Sequence, residues 1–427
     1  MNLTAPGFLS LYLPLALMLS TALRGRRGHH AWQGLLGLLL LLSAGWQQPL
    51  VFLAFILLNL LAARMQGRPR RAAALVINLG AVLLVKLLPF AGSGLALPLG
   101  LSYAAFQALS FHLEGQQGVG NLVFYLLFFP KLPMGPLASF EEFTRQQPAR
   151  ERIWQDLEAG LSRLALGLVK KLLIADRLAL ITQAVYQAPA ADRNLPLALL
   201  GLLIFPLQLY VDFAGYTDIA LGAARALGFS LPENFNRPFL ADSLRDFWRR
   251  WHLSLTRWFG QWVYIPLGGS RRGQGRTLLN TFLVFLLIAL WHGIGWGFVL
   301  WGLWNALLIS LERRGILKPA AWPLPLRRAY VYLAAALGFL PFAANQNLGA
   351  ALTAFLQPGT VNLALAQLGP GTLLALLMAL VLLMVEGRGI AARLPLLLRQ
   401  AGAILALALG LLAAFGAGHL PFIYGAF

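Results

Sequence analysis

The 427-residue chain contains no cysteine. That absence excludes disulfides, thiol nucleophiles, a cysteine-bound acyl intermediate and palmitoylation of the chain itself. Charge is also sparse: 11% of residues are Asp, Glu, Lys or Arg, where a soluble domain carries roughly 25%. Acidic residues are the scarcer sign, 15 against 34 Lys and Arg, giving a formal net charge of +19. No internal repeat, soluble domain or low-complexity linker is visible. The glycine-rich stretch PLGGSRRGQGR at 266–276 lacks the Lys-Ser/Thr ending of a phosphate-cradling loop, so it carries no signature of nucleotide hydrolysis.

What the chain has instead is apolar length. Hydrophobic residues make up 59% of it and the mean hydropathy is +0.69. A bilayer admits only helices or closed barrels. Barrel strands would show short alternating segments, whereas these runs are long and unbroken. The expected fold is therefore all-α and polytopic, one integral-membrane domain over 1–427 with about 11–12 spans. The spans fall near 8–23, 32–46, 48–64, 72–90, 95–113, 158–182, 196–225, 277–292, 294–311, 328–343, 370–385 and 400–417. A shorter apolar stretch, 121–130, ends at Pro130 and reads as re-entrant or interfacial.

The N-terminus lacks the positive start of a secretory signal, so the first run reads as a retained span. Arginines recur in alternate loops: Arg24, Arg26 and Arg27; Arg64, Arg68, Arg70 and Arg71; Arg145, Arg150 and Arg152; Arg313, Arg314, Lys318, Arg327 and Arg328; Arg388 and Arg393. The intervening loops 90–97, 184–195 and 344–366 carry almost no charge. This is the positive-inside bias of a multi-pass protein of the cytoplasmic membrane, with both termini outside. It accounts for the net charge without nucleic acid. The longest polar insertion, 228–276, is rich in arginine and holds Trp248, Trp251, Trp258 and Trp262, a composition suited to an amphipathic interfacial segment facing the cytoplasm and membrane lipid.

Two histidines stand out. His292 sits in the charge-free run TLLNTFLVFLLIALWHGIGWGFVLWGLWNALLISLER, 277–313. A titratable ring at membrane depth is costly unless paired or wetted, which points to function. Gly293, Gly295 and Gly297 leave room beside it, and Trp291, Trp296, Trp301 and Trp304 supply apolar area. An imidazole there suits a general base taking a proton from a hydroxyl, or it simply bonds two helices. His252, in RDFWRRWHLSLTRW, suits a group that orients an acyl donor, or one that packs among tryptophans. His29 and His30 read as solvated in a basic loop, and His112 as structural; His419 is given no role. Metal binding has no support, because neither framed histidine has ligand spacing. Asp212 and Asp218, in QLYVDFAGYTDIALG, either pair with the arginines of 237–257 or line a reaction chamber. Lys170 and Lys171 are expected to snorkel to the cytoplasmic surface.

These segments resemble the membrane-bound O-acyltransferase family. The resemblance is carried by RDFWRRWHLSLTRWFGQWVYIPLGG, LLIALWHGIGWGFVLWG, PLGLSYAAFQALSF at 98–111, FFPKLPMGPL at 128–137, GLVKKLLIADRLA at 167–179 and YVDFAGYTDIALGAARALGFSLPENFNRPF at 210–239, with PFIY at 421–424. It covers 98–313 well, and its nearest subgroup resembles bacterial alginate O-acetylation membrane proteins. The family implies a funnelled bundle with a presumed catalytic base at His292. A second essential polar group falls at His252, where many sterol and diacylglycerol enzymes carry asparagine. Trp248, Trp251, Trp291, Asp212, Asp218, Arg249, Arg250 and Asn305 are the candidate substrate contacts. Two positions depart from the family pattern: Gly260-Gln261 where relatives carry Arg-Asp, and Asn305-Ala306 where they carry His-Gly.

The resemblance further implies no permanently bound cofactor, a cytoplasmic thioester donor such as acetyl-CoA, an exported polysaccharide acceptor and a periplasmic acetyltransferase partner. Two other readings stay open. One is transfer of D-alanyl or another acyl group to teichoic acid or a different envelope acceptor. The other is a non-enzymatic transporter of acyl groups or anions, with the histidines as a proton relay, although transporters commonly show internal repeats.

Overall fold

An apolar run in hydrocarbon must satisfy its own backbone, and a helix does so within the segment. The computed structural model follows that rule. It describes residues 3–26, 28–88, 100–115, 119–189, 192–344, 347–360, 369–386 and 395–416. Among these residues the ordered elements are helical, apart from one isolated bridge between Phe235 and Trp251. The all-α expectation is met, and a helix stands at each expected span. Among the described residues, three helices are long and apolar enough to cross a membrane: Leu195–Ala226, Gly273–His292 and Leu396–Phe415. Phe8–Leu23, Gln47–Ala63 and Pro370–Val385 are shorter apolar helices. Leucines such as Leu377, Leu405 and Leu412 are exposed on these helices, a surface suited to lipid rather than water. Arg27, Arg388, Arg393, His419, PFIY, loop 90–97 and parts of 98–111 and 344–366 lie outside the described residues.

The chain divides into two compact units. The first comprises Met1–Leu168, Tyr216–Glu233 and Gly402–Phe415. Its helices approach closely at small residues, as membrane helices do. Gly160, in Ile153–Leu168, faces Gly222 so tightly that a Cβ on either would collide with the other helix's backbone. The stretch 121–130 folds as a helix, Val119–Leu127, and a turn, Phe129–Lys131, and the chain then stays buried through Ala138. Lys131 is enclosed there, donating to Gln107 at 2.7 Å with its ammonium 3.4 Å from the Tyr125 ring centroid. His29 is not solvated, and His30 is half-buried. His29 is buried against Gln33, and His30 stacks on Phe124 at 4.3 Å, because both lie in the His29–Leu42 helix rather than in a loop. His112 is buried between Arg70 and Asn59, as a structural role requires.

The second unit comprises Val169–Gly215, Asn234–Ala401 and Gly416–Phe427. Gly273–His292 and Trp296–Arg313 form a hairpin joined by 293–295. Gly302 lets the two helices close: a Cβ there would stand 2.9 Å from the Phe285 carbonyl oxygen. Leu324–Ala344 packs on the hairpin, with the Trp304 indole donating to the Ala334 carbonyl at 2.8 Å. Lys170 and Lys171 do not snorkel. They lie in a π-wound segment, Val169–Ala175, and both are buried. Lys170 pairs with Glu386 at 2.8 Å, and Lys171 with Asp212 at 2.5 Å and Asp176 at 2.8 Å. Those carboxylates offset the cost of burying two ammonium groups.

Candidate functional site

The site is built on the segment that links Leu195–Ala226 to the hairpin. Residues 234–236 run against 250–254 like a miniature ribbon. Asn236 N donates to Arg250 O (2.9 Å) and Leu253 N to Asn234 O (3.0 Å), while the Asn234 side chain accepts from Ser254 N (3.2 Å). This clamp holds His252 at φ 45°, ψ 53°, a left-handed conformation, just before the helix Leu253–Phe259. Only a few residue types accept that region, histidine and asparagine among them. The short helix Leu244–Trp248 is capped by Ser243. It is also held by Glu312, whose carboxylate accepts from Leu244 N (2.7 Å), Arg245 N (3.0 Å) and the Tyr330 hydroxyl (3.0 Å). Trp248 donates its indole proton to Asn305 at 2.9 Å.

These restraints bring the two histidines into one cavity of ≈ 210 Å³, which both rings line. His252 is 1% exposed and stands edge-to-face with Phe213 at 4.8 Å. Burial pushes its imidazole down to about 3, so the ring is neutral near pH 7. His292 is the last residue of its helix and 4% exposed. Its ring neighbours are Trp291 (4.7 Å), Phe342 (5.2 Å), Trp301 (5.6 Å) and Phe298 (6.4 Å). The lining follows one helix from Thr281 to His292, about 16 Å of helical rise at about 1.5 Å per residue. Arg245, Arg249, Tyr264 and Arg313 complete it, and no carboxylate lines it among the described residues. Arg313 donates to the Tyr264 hydroxyl at 3.1 Å. The cavity thus combines cationic groups, an aromatic and aliphatic wall, and two imidazoles.

Of the residues singled out from sequence, His252, His292, Trp248, Trp251, Trp301, Arg249 and Gly260 line the cavity. Trp291 touches His292 without lining it, and Asn305 acts through Trp248. Asn305 also donates to the Trp301 carbonyl at 2.8 Å, so this departure from the family pattern carries a packing role of its own. Arg250 turns to Asp246 at 2.9 Å. Asp212 and Asp218 are not among the residues that line the cavity, and each holds a cation distant in sequence. Asp212 holds Lys171, and Asp218 holds Arg163 at 2.9 Å.

Trp296 is 81% exposed and Trp304 turns to Ala334, so Phe298 and Phe342 take the places beside His292 that those tryptophans were expected to fill. The room left by Gly293 is taken by the Phe298 ring, and Gly297 sits against the Pro341 carbonyl. The 228–276 segment is also more than an interfacial anchor: Phe247, Trp251 and Phe259 are buried. Sequence reasoning missed Arg245, Tyr264, Phe285 and Arg313 as lining groups. Arg245 and Arg249 share a helical spacing of four, a signal that could have found the first. The rest depend on how the hairpin folds back.

Residues 42–316 match the model of the membrane-bound O-acyltransferase family. The chain is 34% identical over 312 residues to a protein of Azotobacter vinelandii named probable alginate O-acetylase AlgI, covering 70% of this chain and 62% of that one. It is 36% identical over 192 residues to the peptidoglycan O-acetyltransferase of Helicobacter pylori (44% of this chain, 36% of that one). It is 30% identical over 230 residues to the teichoic acid D-alanyltransferase of Bacillus subtilis (50% and 58%). The chain spans about three fifths or less of the length of these relatives.

Proposed function

The chain belongs to the membrane-bound O-acyltransferase family and is a membrane protein, and from that premise we propose that it transfers an acyl group, acetyl in the first instance, from a thioester to a hydroxyl. The observation that carries this reading is the convergence of His252 and His292 on one cavity that also holds arginines. His292 takes the proton of the attacking hydroxyl. Neutral His252 hydrogen-bonds and orients the acyl group. Arg245, Arg249 and Arg313 receive the phosphates of a CoA-type or phosphopantetheine-bearing donor, which enters from the cytoplasmic side where the basic loops lie. The acceptor is an exported polysaccharide reached from the far side, directly or through a periplasmic partner. The protein is multi-pass in a bacterial inner membrane. The likeness to the Azotobacter protein supports a polysaccharide acceptor. A D-alanyl donor would bring an ammonium group, and a cavity with arginines and no lining carboxylate favours acetyl over it.

The test is purified protein in lipid vesicles given labelled acetyl-CoA and a polysaccharide acceptor. Wild type should form acetyl ester, and His292→Gln, correctly inserted, should lose it by at least about 10²-fold, the usual contribution of a general base. Undiminished transfer by His292→Gln would refute the reading.

A further inference from the structure

One side of a single helical stretch walls the cavity. Leu255, Thr256, Phe259, Gly260 and Tyr264 all line it, at spacings of three and four that share a helix face. Thr256, Gly260 and Tyr264 form a row four residues apart, so Gly260 takes the place between two side chains of the wall. It is half-buried rather than closed off. Its backbone does not require glycine: φ −59°, ψ −51° is ordinary right-handed helix, open to any residue. Packing does not require it either. A Cβ at 260 would meet no neighbouring group within 4 Å, whereas one at Gly302 would strike the facing helix. The family pattern carries arginine at 260, so the gap belongs to this chain. From here the chain winds as a π-helix, Ile265 N donating to Gly260 O at 3.0 Å, a form frequent at functional sites. The gap also has a definite place along the cavity. His252 lies eight residues back, about 12 Å of rise at about 1.5 Å per residue. Tyr264, bonded to Arg313, lies about one turn ahead. Gly260 therefore stands between the histidine end and the cationic end, nearer the second.

We propose that Gly260 is a specificity-determining position whose missing side chain seats the branched pantoyl group of the donor's phosphopantetheine arm. The proposal rests on the acyl-transfer reading above. Next to sulfur such an arm is a thin, unbranched chain of amides. Its one quaternary carbon, with two methyl groups, lies next to the phosphate. With the phosphate on the arginines and the thioester at the histidines, the arm runs along the cavity and its wide end falls beside Gly260. Two methyl groups need width rather than a polar partner, and the bare backbone between Thr256 and Tyr264 supplies it. Glycine is the residue that lets a ligand approach the backbone closely. A side chain at 260 competes with those methyls for the same volume. It weakens donor binding and leaves the reacting carbonyl where it was. The arm is common to CoA and to the prosthetic group of a carrier protein, and the gap fits both.

The experiment is a size series in lipid vesicles: Gly260→Ala, Gly260→Val and Gly260→Leu beside wild type and His292→Gln. Acetyl-CoA and an acetylated acyl carrier protein are the donors that bear the arm, and the better of the two for wild type identifies its source. The acetyl thioester of N-acetylcysteamine is the donor without pantoyl group or phosphate. KM for the arm-bearing donor should rise with side-chain size, at least about tenfold for Gly260→Leu, with kcat changed less than about threefold, the signature of lost ground-state binding. The truncated donor should show no such trend. A KM that stays flat across the series overturns the proposal. So does a loss carried by kcat, or one shared equally by the truncated donor, because either places the effect at the reacting end or in the fold. The split between KM and kcat decides even where the truncated donor is too weak to assay. All three variants should unfold at or above the wild-type denaturant midpoint, since each replaces a helical glycine beside open space; a lowered midpoint also overturns the proposal. Failure of wild type to transfer acetyl from any of these donors, or full activity in His292→Gln, refutes the underlying reading instead and is distinguishable from a flat series.

Discussion

The backbone of His252 allows a prediction that separates strain from chemistry. At φ 45°, ψ 53° an L-residue with a plain Cβ costs about 1–2 kcal/mol. Glycine enters that region freely but gives back about 0.5–1 kcal/mol through its more flexible unfolded chain. His252→Gly should therefore be more stable than His252→Ala by about 0.5–1 kcal/mol, although it removes one more carbon from a buried position. Side-chain volume alone predicts the opposite order. His252→Asn should be the best tolerated of the three, because asparagine adopts left-handed geometry and still offers a hydrogen bond to an acyl group. The measurement is denaturant unfolding in detergent for all three variants, with acetyl transfer recorded on the folded fractions. The glycine variant should be stable and inactive, and the asparagine variant stable and partly active. Equal stability of the alanine and glycine variants, or a more stable alanine variant, would refute the reasoning.

Three further outcomes follow from particular contacts. Gly293→Ala places a methyl in the Phe298 ring, which lies parallel to His292 at 6.4 Å. Overpacking of this kind costs about 1–3 kcal/mol, transfer should fall, and adding Phe298→Leu should restore both stability and rate. Asp212→Asn removes one of two carboxylates on buried Lys171. Unfolding should show a loss of about 3 kcal/mol, with the rate per folded molecule preserved. For pH, the unfolded His252 binds a proton below about 6.5 while the folded one does not until about 3. Its contribution to stability is therefore full above pH 6.5 and declines as pH falls towards 3. Between pH 7 and pH 5 the loss is about 2 kcal/mol. Wild type should show that extra slope relative to His252→Asn, and parallel slopes would contradict the burial argument.

The helices were legible because composition dictates them: long runs without charge have no other way to pair their backbones in lipid. His292 was legible for the same reason, as a polar ring that needed an explanation. What could not be read was the direction in which neighbouring side chains turn. The tryptophans at 291, 296, 301 and 304 look equivalent in sequence. The break at 293–295 puts Trp296 on the surface and sends Trp304 to a different helix. The lysines at 170 and 171 carry a similar lesson. Near a span end they read as snorkelling, but a π-wound turn draws both inward to acids distant in sequence. Asp212 and Asp218 were legible as needing cations, but that Lys171 and Arg163 supply them was not.

The division of labour between the two histidines follows from what surrounds them. His252 is shut between Phe213 and its own clamp, and burial keeps its ring neutral. A ring that stays neutral down to about pH 3 is a poor acceptor of a hydroxyl proton near pH 7. It is well suited to donate or accept one fixed hydrogen bond, and its fixed backbone makes that bond directional. His292 has to hold the proton, yet the cavity offers arginines and no lining carboxylate. Trp301 and Phe342 stand nearly perpendicular to its ring at 5.6 and 5.2 Å, and the arginines of the cavity do not favour a further positive charge beside them. The proton taken from the hydroxyl therefore passes on to the thiolate that leaves. A site organised in this way favours a donor whose leaving group is a good proton acceptor once expelled, as a thiolate is, over an oxygen ester.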